Sequence, residues 1–122
     1  MTEPIFHRGD VVVCILSGDY GKPRPAVVVQ SDLFSETHAS VVLCPISSDV
    51  TGLSLFRVAI PASEASGLRK DSEIMVDKIT AARRARVSRR IGRLSRGQLS
   101  LVDGAMRTWL ELPAASDMSR AG

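Results

Sequence analysis

The sequence predicts a small, mostly β domain closed by one C-terminal helix: a twisted antiparallel sheet or open barrel with the helix packed on it. Three observations lead there. A chain of 122 residues suits a single core. Short apolar runs rich in β-branched residues alternate with turns that contain glycine or proline. The hydrophobic period becomes helical only near the C-terminus. One domain is expected over residues 1–112, with 113–122 as a flexible tail, because its Ala, Ser and Gly residues bury too little apolar surface to offset ordering entropy.

The first strand is expected from Asp10 to Leu16, an almost continuous apolar run after the turn residues Arg8-Gly9. Ser17 to Pro23 holds two glycines and a proline, so it reads as a loop. A second strand is expected over Pro25 to Gln30 and a third over Ser40 to Pro45. Both are apolar enough to sit at the centre of the sheet. Leu55 to Ile60 alternates well enough for a half-exposed fourth strand ended by Pro61, and Ala62 to Leu68 offers a helical turn. A fifth strand is expected within Asp71 to Ala81. Leu99, Val102, Met106 and Trp109 then recur at spacings of three and four, one face of a helix. Ser95 and Gln98 fit a capping box, with Leu94 and Leu99 as the staple around it, so that helix should run from about Ser95 to near Leu112, before Pro113.

Composition excludes several chemistries. Aromatic residues make up 4% of the chain, too few for a base-stacking platform. The two histidines and two cysteines follow no metal-ligand spacing, so no metal is expected. The glycines at 18 and 21 lack the spacing and context of a phosphate-cradling loop, so no nucleotide cofactor is indicated either. Cys14 and Cys44 lie inside apolar runs and read as reduced, buried small hydrophobes. His7 and His38 read as exposed turn residues. The N-terminus lacks a secretory core and no stretch approaches a membrane span, so a soluble, cytoplasmic protein without membrane contact is expected.

Charge is more informative. The net charge is only +3, yet eight of the sixteen basic residues lie between Lys78 and Arg96, a stretch without Asp or Glu. Such a block favours an anionic partner. Gly21-Lys22-Pro23-Arg24-Pro25 is the second signal. Two prolines stiffen the backbone on either side of Arg24 and present its guanidinium from a rigid corner. The same corner serves equally as a strand entry whose arginine pairs with a surface carboxylate. The third signal is Cys44-Pro45-Ile46-Ser47-Ser48-Asp49, where a central strand ends in two hydroxyls, although Ser-Ser-Asp is also an ordinary turn.

Arg8-Gly9-Asp10-Val11, Gly21-x-x-Arg24-Pro25 with Val27-Val28-Val29-Gln30-Ser31-Asp32, Pro45-Ile46-Ser47-Ser48 and Met75-Val76-Asp77-Lys78-Ile79 stand in an order and spacing that resemble the MazF/PemK family of toxin endoribonucleases over residues 7–111. The resemblance implies an SH3-like barrel of the CcdB/MazF type. It further implies a homodimer with RNA across its interface, a cognate antitoxin that covers the same surface and binds DNA together with the toxin, and sequence-selective cleavage of single-stranded RNA. The family's catalytic arginine falls on Arg24, its catalytic threonine on Ser47, and an acidic residue used by some members on Asp19. Lys22, Ser48, Lys78, Arg83, Arg84 and Arg86 are the expected RNA contacts. Thr80 departs from a basic residue of many relatives, and Lys78, two residues away on one strand face, is the expected substitute. No metal or cofactor is needed, because the ribose 2′-OH can attack the adjacent phosphorus and leave a 2′,3′-cyclic phosphate and a 5′-OH. Arg24 suits charge stabilisation on the phosphate. Asp19 could take the 2′-OH proton, although Lys22 and Arg24 beside it oppose that role. Two other classes stay open: a non-catalytic toxin of the same fold that poisons a protein such as DNA gyrase, and an SH3-like binding module.

Overall fold

The computed structural model describes residues 4–53 and 55–113. Among these residues seven strands and one α-helix follow in the order β1 (Asp10–Ile15), β2 (Pro23–Val28), β3 (Ser40–Ser47), β4 (Arg57–Ile60), β5 (Ser72–Met75), β6 (Thr80–Arg83), β7 (Val87–Arg93) and α1 (Arg96–Leu110). Every strand pairing is antiparallel, and the pairing path runs β4-β5-β3-β2-β1-β7, with β6 also on β3. Its two ends do not pair with each other, so the sheet is open, not a closed barrel. The expected tail lies, apart from Pro113, outside the described residues.

The continuous apolar runs of β1, β2 and β3 are explained by burial on both faces. Val11, Val27, Cys44 and Ile46 join Val102 and Ala105 of α1 in one core. Val12, Cys14, Ala26, Val28, Val41 and Leu43 point the opposite way, into a second core with Phe6 and Val87. Alternation with a period of two therefore feeds two cores at once.

The expected fifth strand is two strands. β5 pairs with the end of β3 at Ile46↔Ile74, and β6 pairs with its beginning at Leu43↔Thr80. Between these pairs two residues of β3 thus face five of the partner segment, a surplus of three. The surplus is taken up by a 3₁₀ turn, Val76–Lys78, which sinks Val76 into the core. This is a bulge in function, an insertion that re-aims side chains at a sheet edge. It also separates Lys78 from Thr80 by the end of that turn, so the two do not share one strand face.

A seventh strand was invisible in the sequence. β7 is a run of exposed Ser, Arg and Arg with only Val87 buried, and it lies at the end of the sheet. Charged side chains at such an edge discourage pairing with other chains. The helix begins as expected: Ser95 Oγ accepts from Gln98 N at 3.1 Å, and Ser95 N donates to Gln98 Oε1 at 2.8 Å. It ends at Leu110, with Glu111 left-handed at φ 54. Arg8 fastens it to the sheet, donating to the Val29 carbonyl at 3.0 Å and pairing with Asp103 of the helix. Residues 62–68 form no helix, only a turn in which Gly67 N donates to Ser63 O at 2.9 Å.

That turn is pressed against β7. A Cβ on Gly92 would lie 2.2 Å from the backbone of Ser66, contact that cannot be relieved by a rotamer change. Gly104, on α1, has open space around it. Gly92→Ala should therefore lose about 1–3 kcal/mol in urea unfolding, while Gly104→Ala should gain about 0.5–1 kcal/mol. Equal effects at the two positions would contradict the close approach of turn and strand.

Candidate active site

Arg24 is in β2 and points to the side of Ala26 and Val28, the face of the second core. Beyond the end of that core its side chain emerges into a cleft of about 880 Å³. Asp19, Lys78, Thr80, Arg83 and Arg86 line the same cleft, with Pro45 at its base. The β1–β2 loop brings Asp19 back over β2, helped by Lys22 N donating to Asp19 O at 3.0 Å. The 3₁₀ turn of Val76–Lys78 delivers Lys78, and β6 delivers Thr80 and Arg83.

Asp19 Oδ2 lies 2.8 Å from Arg24 Nε, the two side chains being 21% and 31% exposed. Both atoms are buried, yet the N–H is not aimed at the oxygen, so charge rather than a directed hydrogen bond holds the pair. The rest of each side chain reaches solvent, so water screens the pair in part. The contact uses Nε, and the terminal nitrogens of Arg24 make no hydrogen bond to a described residue. The guanidinium is thus oriented at one edge and available at the other, where it can grip a phosphate with two parallel N–H donors.

Arg24 and Ser47 sit two residues beyond the last β2–β3 pair, Ala26↔Pro45, on facing strands. Ser47 ends β3, as the resemblance implied, but does not line the Arg24 cleft. Its Oγ accepts from Asp49 N at 3.1 Å, which leaves the hydroxyl proton to donate. Ser48 and Lys22 are exposed and also lie outside the cleft lining.

The basic block is divided. Arg83 and Arg86 face the cleft, whereas Arg84 is drawn away, its Nη1 donating to Glu36 O at 3.1 Å and its Nη2 to Pro4 O at 3.5 Å. Arg93 lies 3.6 Å from the buried Asp10 carboxylate. His7 stands 3.7 Å from Asp32, and His38 meets the Phe34 ring edge-on; both are exposed and neither joins the cleft. Among the described residues no three His, Cys, Asp or Glu side chains gather where they could hold a metal ion, and no helix is long and apolar enough to cross a membrane. Burial pushes the Cys14 thiol up to about 11 and the Cys44 thiol up to about 12, so both are poor nucleophiles near neutrality.

A buried charge network adjoins Ser47. Glu73 of β5, only 3% exposed, accepts from Thr51 Oγ1 at 2.8 Å and Gly52 N at 3.1 Å, and lies 3.5 Å from Arg57 Nη1. Arg57 in turn donates to both oxygens of Asp77, at 2.7 and 3.1 Å. The Arg57 guanidinium also lies 5.8 Å from the centre of the Phe56 ring, which stacks at a tilt on Trp109. The sequence shows these residues only as scattered charges. Glu73 at the start of a short strand, immediately before the apolar Ile74-Met75-Val76 run, was the one available clue.

The family model of PemK-like, MazF-like toxins of type II toxin-antitoxin systems matches residues 7–110. A relative from Mycolicibacterium smegmatis, described as a probable endoribonuclease MazF, is 36% identical over 106 residues, covering 86% of this chain and 96% of its own. Endoribonuclease MazF9 of Mycobacterium tuberculosis is 30% identical over 94 residues, 73% of this chain and 79% of its own. Among solved structures, the Mycobacterium tuberculosis toxin MazF-mt6 matches with a TM-score of 0.75 at 21% identity, covering 86% of this chain and 99% of that one. A mycobacterial endoribonuclease in complex with its cognate antitoxin matches with a TM-score of 0.76 at 20% identity, over 89% and 98% of the two chains.

The Glu73 carboxyl is held below the ordinary glutamate range. Burial alone would raise it, but the Thr51 and Gly52 hydrogen bonds and the Arg57 charge outweigh that cost. A carboxyl lowered in the folded state contributes stability that is complete above the unfolded-state value and is lost as pH falls through the folded one. Urea midpoints of the native protein should therefore fall as the pH drops below the ordinary glutamate value of about 4.3. Glu73→Gln should start lower at neutral pH and decline less steeply. Parallel curves for the two proteins would remove Glu73 from the acid response.

Proposed function

The chain belongs to the PemK-like, MazF-like toxins of type II toxin-antitoxin systems, and on that premise we propose that it is an endoribonuclease cutting single-stranded RNA at the Arg24 cleft. The observation that carries this reading is the arrangement of Arg24, oriented by Asp19 at Nε, in one cleft with Lys78, Arg83 and Arg86. Four cations around one concavity suit a polyanion better than any neutral ligand. Both curated relatives described above carry endoribonuclease in their names, which favours this reading over a gyrase poison or an adaptor.

RNA supplies its own nucleophile. The 2′-oxygen loses its proton and bonds to the adjacent phosphorus, the bond from phosphorus to the 5′-oxygen breaks, and that oxygen takes up a proton. The products are a 2′,3′-cyclic phosphate and a 5′-OH, with no metal-activated water required. Arg24 stabilises the charge that builds on the non-bridging oxygens. Ser47, at the end of β3 just outside the cleft lining, has a hydroxyl proton left to donate to the RNA where the strand passes from the cleft. Asp19, already engaged with Arg24, acts as the residue that aims the guanidinium rather than as a base. Because that contact uses Nε, a phosphate can bind the terminal nitrogens without displacing Asp19. Lys78, Arg83 and Arg86 hold flanking phosphates, and Lys22 and Ser48 contact the strand where it leaves the cleft.

The active form is read as a cytoplasmic homodimer of SH3-like units, covered by a cognate antitoxin and binding DNA only together with it. Leu101, Trp109 and Leu110 of α1 are large apolar side chains 62%, 47% and 45% exposed. They offer surface for such assembly.

Incubation with a long single-stranded RNA in EDTA tests the activity. Discrete cuts with 5′-OH ends are expected, lost in Arg24→Ala and slowed in Ser47→Ala. Intact RNA at excess protein, or undiminished cutting by Arg24→Ala, would overturn the assignment. Binding of an uncleavable RNA across a salt series tests the cleft. Each of Arg83→Ala and Arg86→Ala should reduce the slope of log affinity against log salt by about 0.7. Arg84→Ala, whose side chain is turned toward Glu36 and Pro4, should leave the slope as it was.

A further inference from the structure

Ser47 and Glu73 are a directly opposed pair across β3 and β5. Opposed residues of an antiparallel pair project from the same face with Cβ atoms about 5 Å apart. The Glu73 carboxylate therefore stands beside Ser47, and it is buried while Ser47 is half-exposed. Something must cover it. The cover is the chain immediately after Ser47, because Thr51 Oγ1 and Gly52 N both donate to this one carboxylate, and Thr51 Oγ1 also accepts from Leu53 N at 3.3 Å. Ser47 Oγ holds the start of the same segment through Asp49 N.

A buried carboxylate at this point is costly unless its lone pairs are used. Here they hold a loop. Arg57 compensates the charge from the other side and is itself fixed by Asp77, next to the cleft residue Lys78. The network thus joins the end of β3, the loop after it and the 3₁₀ turn that carries Lys78. The outer side of the loop shows Val50 and Leu53 to solvent, 59% and 49% exposed.

We propose that Glu73 is a positioning residue that, through Thr51 and Gly52, sets the loop of residues 48–53 over Ser47 and so determines both the placement of the Ser47 hydroxyl and which RNA sequences are cut. The inference rests on the endoribonuclease reading above. Glu73 never touches substrate. Its effect passes through the loop.

Thr51 is exposed, so Thr51→Val removes one hydrogen bond from Glu73 without disturbing a core. It should melt several degrees below the native protein and still be folded at the assay temperature. On a short RNA it should lower kcat roughly tenfold with KM nearly unchanged, the pattern of an interaction needed in the transition state. On a long RNA its cuts should spread to additional sites. Thr51→Ser, which keeps the hydroxyl, should restore rate and cut sites. Glu73→Gln, examined below its melting temperature, should share the spread of cut sites. Native rates and cut sites in both folded Thr51→Val and Glu73→Gln would overturn the proposal. So would a loss confined to thermal stability. Amide hydrogen exchange of residues 49–53 separates this proposal from the reading beneath it. Faster exchange in Thr51→Val than in the native protein is expected whether or not RNA is cut, and unchanged exchange would sink the proposal alone. A native protein that leaves all RNA intact would sink the endoribonuclease reading.

Discussion

Strand β3 must satisfy two partners along one edge, β5 at Ile46 and Ser47 and β6 from Ser40 to Leu43, while β2 occupies its other edge and both of its faces are buried. Backbone groups so enclosed have no water to fall back on, so nearly all must find partners. Pro45, which has no N–H, sits where the partner changes. The three surplus residues of Val76–Lys78 accommodate that change. Their turn delivers Lys78 to the cleft and Asp77 to Arg57, so a requirement of backbone pairing produces both the cationic wall and the buried network.

Positive charge in this chain therefore performs separate tasks. Arg8 fastens the helix to the sheet, Arg57 compensates buried carboxylates, and Arg93 faces Asp10. Arg89 and Arg90 decorate an edge strand. Among the described residues, Arg24, Lys78, Arg83 and Arg86 converge on one concavity. A run of like charges in sequence is divided because a strand sends successive side chains to opposite faces, and because the 3₁₀ turn Arg84–Arg86 rotates the chain between β6 and β7.

The same division separates rigidity from reactivity. Glu73 is buried and Arg57 and Asp77 are mostly covered, so breaking a pair there leaves a poorly compensated charge. Asp19 and Arg24 remain partly exposed, with the guanidinium held at Nε and its terminal nitrogens open to the cleft. The buried network suits a scaffold, and the part-exposed pair suits a guanidinium that is held at one edge and open to a phosphate at the other.

The two-faced burial of β1, β2 and β3 was legible in the sequence, because only apolar residues in succession can serve both cores. The helix start was legible in the local Ser95–Gln98 spacing, and Arg24 stood out because prolines on either side stiffen its backbone. β7 was not legible, since an edge strand made largely of arginine carries no apolar alternation. Nor was the division at Val76–Lys78, which follows from the demands of β3 some thirty residues earlier. The direction of Arg84 and the meeting of Thr51 with Glu73 likewise depend on segments far apart in the chain. What the sequence determined by itself was local: runs, caps and a stiff corner, all set by neighbours within a few residues. What only the tertiary structure decided was which charges share a cleft and which are buried in pairs, because strand register places side chains from distant segments face to face.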